Sequence, residues 1–389
     1  MAVASNATLY PGDTLGIIGD STNGSQLITA ARRLGLRVIA YGANEVSETM
    51  QLADVHIVGE PNDGNKLREF GEKCDSVVYE SEHVDSQTVK YLEQFTKIPQ
   101  GTNALEVTQD RLIERAFFDQ LNLNSAPYAT VISLSDIYES INSIGYPSVL
   151  KPIQKSFEPN TELRINTQTD IPAAADLLNE RTYILESTVD SQQELVLTVV
   201  QGMNGERKIF PIAENVYAQE HLVETIVPAV VSDSVQNELL RITNEVADAL
   251  EYVGVFEISF AVTRSEDIYV NRIVPAIHRP GYVFNRATNV SVFDQQLRAI
   301  AGMPLSDIKL FMPSIMVNFD KSQMEAIRTQ WNIKNNWYFH MYAQNKTTEK
   351  QTRAGYALVE ANSTQQAQEQ IDNTEIWANH PIIDFGKAE

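Results

Sequence analysis

Over the first hundred positions, short apolar runs alternate with segments whose apolar residues recur every third or fourth place. The runs TLGIIGD (14–20), LRVIAYG (36–42), ADVHIVG (53–59) and CDSVVYE (74–80) predict strands. SQLITAARRLG (25–35), KLREFGEKC (66–74) and SQTVKYLEQF (86–95) predict helices, the first stopped by Gly35. This alternation predicts a parallel sheet with helices on both faces, where ligands sit at the carboxyl ends of the strands. A break follows at IPQGTNALEVTQDR (98–111), then a helix, RLIERAFFDQLNL, and strands at YATVI, PSVLKPI and TYILEST. Residues 195–231 are strand-rich, with Asn204-Gly205 marking a hairpin turn. SVQNELLRITNEVADALEY is an amphipathic helix. VGVFEISFAVT and DIYVNRIVP predict an antiparallel pair turning near Ser265-Glu266-Asp267, followed by a helix at 291–301. From 313 to 377, three strands (SIMVNF, YFHMYA, GYALVEA) mix with one helix, TQQAQEQI.

Composition narrows the picture little, because 43% hydrophobic and 21% charged residues describe an ordinary globular chain. A length of 389 residues suits two or three domains. The net charge of −21 argues against nucleic acid or an anionic membrane as partner. No apolar run approaches the ~18–20 residues of a membrane span, and MAVASNATLYPGD lacks the pattern of a signal peptide. Cys74 is the single cysteine, which rules out an intrachain disulfide and fits a cytoplasmic location. Zinc spacing is absent among the six histidines.

Gly19-Asp20-Ser21-Thr22-Asn23-Gly24 follows the first strand and opens a helix, where backbone N–H groups can hold an anion. Ser21 stands where a dinucleotide fingerprint has its second glycine, so a tight turn and a phosphate site are equally good readings of the loop.

Together, IIGDSTNGSQLITAARRLGLRV, VVYESEHV, IPQGTNALEVTQDR, YPSVLKP, FPIAENVYAQEHLVETIVPA, YVGVFEISFAVT and YVNRIVPAIHRPGY resemble the 5-(carboxyamino)imidazole ribonucleotide synthetases of the ATP-grasp superfamily, in order and spacing, from about residue 14 to 377. The resemblance implies a mixed α/β and α+β chain. A Rossmann-like parallel α/β domain (12–110) would precede an ATP-grasp domain (111–305, with a small lid at about 111–186) and a small mixed C-terminal domain (306–379). It implies ATP- and bicarbonate-dependent carboxylation of aminoimidazole ribonucleotide, with a nucleotide or ribonucleotide as ligand and a homodimer as assembly. Residue by residue, Arg111, Lys151, Glu186 and Glu194 would face the nucleotide. Gly24, Glu80, Glu82 and Asn215 would face the ribonucleotide, and Asn271 and His278 would be catalytic.

Magnesium is where the sequence departs. The family reads Asn-Glu-Ile-Ala-Pro-Arg at the strand end where this chain reads Asn271-Arg272-Ile273-Val274-Pro275-Ala276. The second metal carboxylate is matched by Ser259. Guanidinium has no acceptor atom and stays protonated, so Arg272 is no metal ligand. Glu257 lies two positions before Ser259 on the same strand face and is the candidate substitute. The glycine-rich triphosphate loop of the family is matched by Lys155-Ser156-Phe157-Glu158-Pro159-Asn160-Thr161, without glycine. Near the C-terminus, Tyr342-Ala343-Gln344 and Thr352-Arg353-Ala354-Gly355-Tyr356 lack cations of the family pattern. Two readings stand: a related protein impaired in catalysis, and an active ATP-dependent ligase with a rearranged metal site.

Overall fold

A computed structural model describes residues 9–155, 162–178, 181–218, 221–343 and 353–378. The N-terminal apolar runs form strands β1 (Thr14–Ile18), β2 (Arg37–Gly42), β3 (Val55–Val58) and β4 (Ser76–Tyr79). They pair in parallel in the order β3-β2-β1-β4. Strand order reverses at β1, so a crevice opens between the carboxyl ends of β1 and β4, the usual ligand position of such sheets.

A second, antiparallel sheet has the order β5-β8-β6-β7. It contains β5 (Tyr128–Val131), β6 (Ser148–Pro152), β7 (Leu163–Ile165) and β8 (Tyr183–Ser187). The helix Leu134–Ile144 packs on it, burying Ile137, Ile141 and Ile144 on one stripe behind a capping box of Ser133 and Asp136.

The largest sheet carries β9 (Gln193–Gln201), β10 (Arg207–Ile209), β11 (Ala213–Ala218), β12 (His221–Val227), β13 (Gly254–Val262) and β14 (Ile268–Val274). It continues through β15 (Ser314–Asp320), β16 (Trp337–Met341) and β17 (Arg353–Glu360). Its order is β14-β13-β9-β11-β12-β15-β17-β16, with β10 beside β9. Every pairing in it is antiparallel. The C-terminal strands thus extend the central sheet through β12 and β15. The β9–β10 hairpin turns at Gly205, whose φ of +80° suits glycine.

Differences from the sequence expectation are local. The run at 207–217 is two strands, β10 and β11. The C-terminal part holds a second helix, Met324–Ile333, and the break at 98–111 contains the helix Asn103–Thr108. Cys74 packs in the core beside Phe70 and Val77, and burial pushes its thiol up to about 12, as for an inert packing residue. Among the described residues no helix is long and apolar enough to cross a membrane.

Candidate functional site

One helix and three strands converge on one polar region. On the helix Arg111–Gln120, Arg115 is buried and Glu186 of β8 receives it: Nε donates to Glu186 Oε1 at 3.1 Å and Nη2 donates to the same oxygen. Lys151 Nζ of β6 holds the other oxygen at 2.7 Å. Burial alone would raise the Glu186 carboxyl, but Lys151 and Arg115 outweigh it and hold the group below its ordinary range. Arg115 also donates to the Asn271 carbonyl at 3.1 Å, tying β14 to the β5-β8-β6-β7 sheet through Glu186.

These groups line a pocket of about 170 Å³, with Lys151, Glu186, Glu194, Arg115, Arg164 and Asn271 in its wall. Glu194 Oε1 accepts from Ser191 at 2.6 Å, and burial raises its carboxyl. Four residues expected at a nucleotide or catalytic position therefore share one pocket. Arg111 stands outside that wall, paired with Glu162 at 2.7 Å. Its neighbours Gln109 and Asp110 fasten the chain before the helix: Gln109 donates to the Glu82 and Val84 carbonyls, and Asp110 caps the helix at Leu112 and Ile113.

The strand end beside the pocket is built by a register shift. Ser259 faces Arg272 across β13–β14, while the next pair is Phe260 with Val270, so Asn271 is the extra residue of a bulge. Bulges re-aim side chains, and here Asn271 reaches the pocket wall while Arg272 stays opposite Ser259. The Ser259 hydroxyl donates to the Arg272 carbonyl at 3.5 Å. His278 lies between Arg272 and Glu257, with Nε2 3.5 Å from Arg272 Nη2 and Nδ1 3.5 Å from Glu257 Oε2. Glu257 is only 2% exposed. Its Oε1 accepts from the Gly281 amide at 3.0 Å and from Thr198 at 3.4 Å.

These residues do not fit a divalent cation. Magnesium wants several oxygen ligands in near-octahedral array. The cross-strand pair supplies one hydroxyl and one permanent cation, and one oxygen of Glu257 is spent on backbone and Thr198. Among the described residues no group of three or more His, Cys, Asp or Glu is placed to hold a metal.

Glu82 joins this strand-end cluster. Burial would raise its carboxyl, but His278, His83 and Arg272 together hold it low. His83, 3.3 Å away, is pushed down to about 4, chiefly by burial. Glu114 went unforeseen. It is buried on the helix Arg111–Gln120, accepts from the Ile273 amide at 3.0 Å and pairs with Lys155 at 2.9 Å. Burial lowers the Lys155 ammonium, outweighing the Glu114 charge, which raises it. Positions 156–161 of the expected triphosphate loop, together with Gln344 and Thr352, lie outside the described residues.

The glycine loop after β1 already holds a carboxyl group of the chain itself. Glu80, at the end of β4, accepts from the Ser21 amide at 2.8 Å, from the Ser21 hydroxyl, and from the Gly24 amide at 3.0 Å. Burial nevertheless raises the Glu80 carboxyl to about 7. Gly19 (φ +125°) must be glycine, since a Cβ there would meet Glu80 Oε1 at 2.3 Å. Asn215 lies elsewhere, on β11, where its side-chain oxygen accepts from Thr225 of β12 at 2.9 Å. Gly24 and Glu80 are thus together, Glu82 stands with Arg272, and Asn215 is held in a cross-strand pair.

Comparison with known proteins agrees with this build. The ATP-grasp domain family matches residues 116–293, and the ribonucleotide synthetase preATP-grasp domain family matches 13–109. The chain is 27% identical over 361 residues to the N5-carboxyaminoimidazole ribonucleotide synthase of Staphylococcus aureus (strain COL), covering 92% of this chain and 96% of that one. Against the enzyme of the same name from Bacillus subtilis (strain 168) the identity is 28% over 385 residues, 99% of this chain and all of the other. The crystal structure of an N5-carboxyaminoimidazole ribonucleotide synthetase in complex with ADP superposes with a TM-score of 0.91 at 29% identity, covering 96% of this chain and 99% of that one.

Proposed function

Since the chain is an ATP-grasp protein with a ribonucleotide synthetase preATP-grasp domain in front, similar along its length to N5-carboxyaminoimidazole ribonucleotide synthases, we propose that it binds an adenine nucleotide but has lost metal-dependent carboxylation. The observation that carries this reading is the Ser259–Arg272 pair facing across β13–β14. Phosphoryl transfer depends on positioned groups that neutralise developing charge, usually with metal bridging the phosphates. Removing one such stabiliser typically costs about 10²–10³ in rate, and here both metal carboxylates of the resemblance are replaced. The nucleotide side supports binding, because Lys151, Arg115 and Glu194 line a formed pocket. On the ribonucleotide side, the loop amides of Ser21 and Gly24 already serve Glu80, which leaves them unavailable to a substrate phosphate.

ADP release measured with ATP, magnesium, bicarbonate and aminoimidazole ribonucleotide, each omitted in turn, tests the reading. Release at the level of a no-protein blank is expected. Release that needs both bicarbonate and the ribonucleotide would overturn it. A second reading has one observation in its favour: Glu257 Oε2 is buried without a hydrogen-bond partner and could serve as a replacement ligand. Under that reading Glu257→Ala abolishes release; under ours there is none to abolish.

A further inference from the structure

We infer that the ligand of this site is a nucleoside polyphosphate free of its divalent ion, with the Arg272 guanidinium taking the phosphates directly. The inference rests on the nucleotide-binding reading above and specifies the ionic form of the ligand.

Three features of the strand end carry it. Arg272 forms no ion pair with a carboxylate among the described residues; its near neighbour is His278 Nε2 at 3.5 Å. Of the other cations nearby, Lys155 is paired with Glu114 at 2.9 Å and Arg111 with Glu162 at 2.7 Å, while Lys151 and Arg115 share the one carboxylate of Glu186. Arg272 is thus a cation at this strand end with no ion-pair partner among the described residues, although the Glu82 carboxyl feels its charge, and it joins Lys151, Arg115 and Arg164 of the pocket wall in drawing an anion from outside. It is also next to the pocket. Asn271 in the pocket wall precedes it in the chain, and the Tyr217 phenol feels both Arg272 and the pocket residue Glu194.

The chemistry favours phosphate over other anions. A guanidinium offers a planar fork of N–H donors that matches two phosphate oxygens, and such charge-assisted bonds are the stronger kind. A magnesium ion on the same phosphates would face the guanidinium, like charge against like, and would compete for the same oxygens. Metal-free nucleotide is accordingly the better ligand, and magnesium weakens binding instead of enabling it.

Calorimetric titration of ATP into the full chain, once in EDTA and once in excess magnesium, tests this. The wild type is expected to bind in EDTA and about tenfold more weakly in magnesium. Arg272→Ala is expected to lose about tenfold to a hundredfold in EDTA, the range of a charge-assisted hydrogen bond. Arg272→Lys, which keeps the charge but not the planar fork, should recover only part of the affinity lost in Arg272→Ala, and a thermal melt of each variant serves as the folding control. Binding that needs magnesium, an unchanged affinity in folded Arg272→Ala, or no binding in either buffer would each overturn the inference. Bicarbonate- and ribonucleotide-dependent ADP release would overturn the preceding reading while leaving this comparison intact, so the two fail separately.

Discussion

A guanidinium and a carboxylate demand opposite neighbours, and at position 272 the neighbourhood has followed the guanidinium. The serine opposite it is neutral, the buried Glu257 is held by the Gly281 amide, and the Glu82 carboxyl is lowered in part by the Arg272 charge. Restoring the acids should restore the demand for metal: in the double variant Ser259→Glu, Arg272→Glu, nucleotide binding should require magnesium, read by the same calorimetry. Binding that stays indifferent to magnesium would contradict the account. At Glu186, Arg115 and Lys151 depend on a single carboxylate. Glu186→Ala leaves the buried Arg115 charge unpaired, and should cost about 3–5 kcal/mol in urea unfolding as well as nucleotide binding. The Arg272 substitution is legible in the sequence because it breaks the pattern of the resemblance. Glu114 and Arg115 are not, because charges on a helix ordinarily read as solvated, and their partners Ile273 and Glu186 lie far along the chain. The seizure of the loop amides by Glu80 escapes for the same reason.

Individual elements show why most of the architecture is readable. Strands β1, β2 and β4 of the parallel sheet are near-continuous apolar runs, as burial on both faces requires, while the edge strand β3 is largely exposed, and β13–β14 announces its turn through Ser265-Glu266-Asp267. The helix Met324–Ile333 escapes notice because Ile327 is its one buried side chain, too little to make an apolar stripe. The helix Leu134–Ile144, also missed, does carry its signal, a capping box and three buried isoleucines. Strand β12 holds a testable oddity. Glu224 is 3% exposed, with Gln368 donating to it at 3.3 Å, and burial raises its carboxyl to about 7. Its folded value lies above the ordinary 4.5, so the folded chain keeps a proton that the unfolded chain releases. Stability from this group is therefore full below about pH 4.5, falls as pH rises toward 7, and stays reduced above it. Glu224→Gln should stabilise the chain by about 2–3 kcal/mol at pH 8 and by much less at pH 5, measured by urea unfolding. An equal effect at both values would contradict a buried, titrating carboxyl. Glu80 contributes with the same sign, so the variant flattens only part of the pH dependence.

Across the whole molecule, the site is an assembly of distant pieces. The preATP-grasp region reaches the strand end through Asn23, whose amide donates to the Glu80 and Ile277 carbonyls at 2.8 Å, and through the Glu82 loop held by Gln109. The helix Arg111–Gln120 and the chain after β6 reach it through Arg115 and Lys155, and the β12–β15 pairing carries the same sheet on to the C-terminal strands. On a chain of net charge −21, an anionic ligand needs a local cation to approach, and Arg272 is placed to be one. The claim on which the account turns is that these strand ends hold a guanidinium where a divalent ion would bridge the nucleotide phosphates. Manganese titration followed by electron paramagnetic resonance, with a non-hydrolysable ATP analogue and the full chain, addresses it directly. The account predicts that the protein adds no manganese binding beyond that of the nucleotide alone. A saturable set of ions held by the protein–nucleotide complex more tightly than by the nucleotide would contradict it.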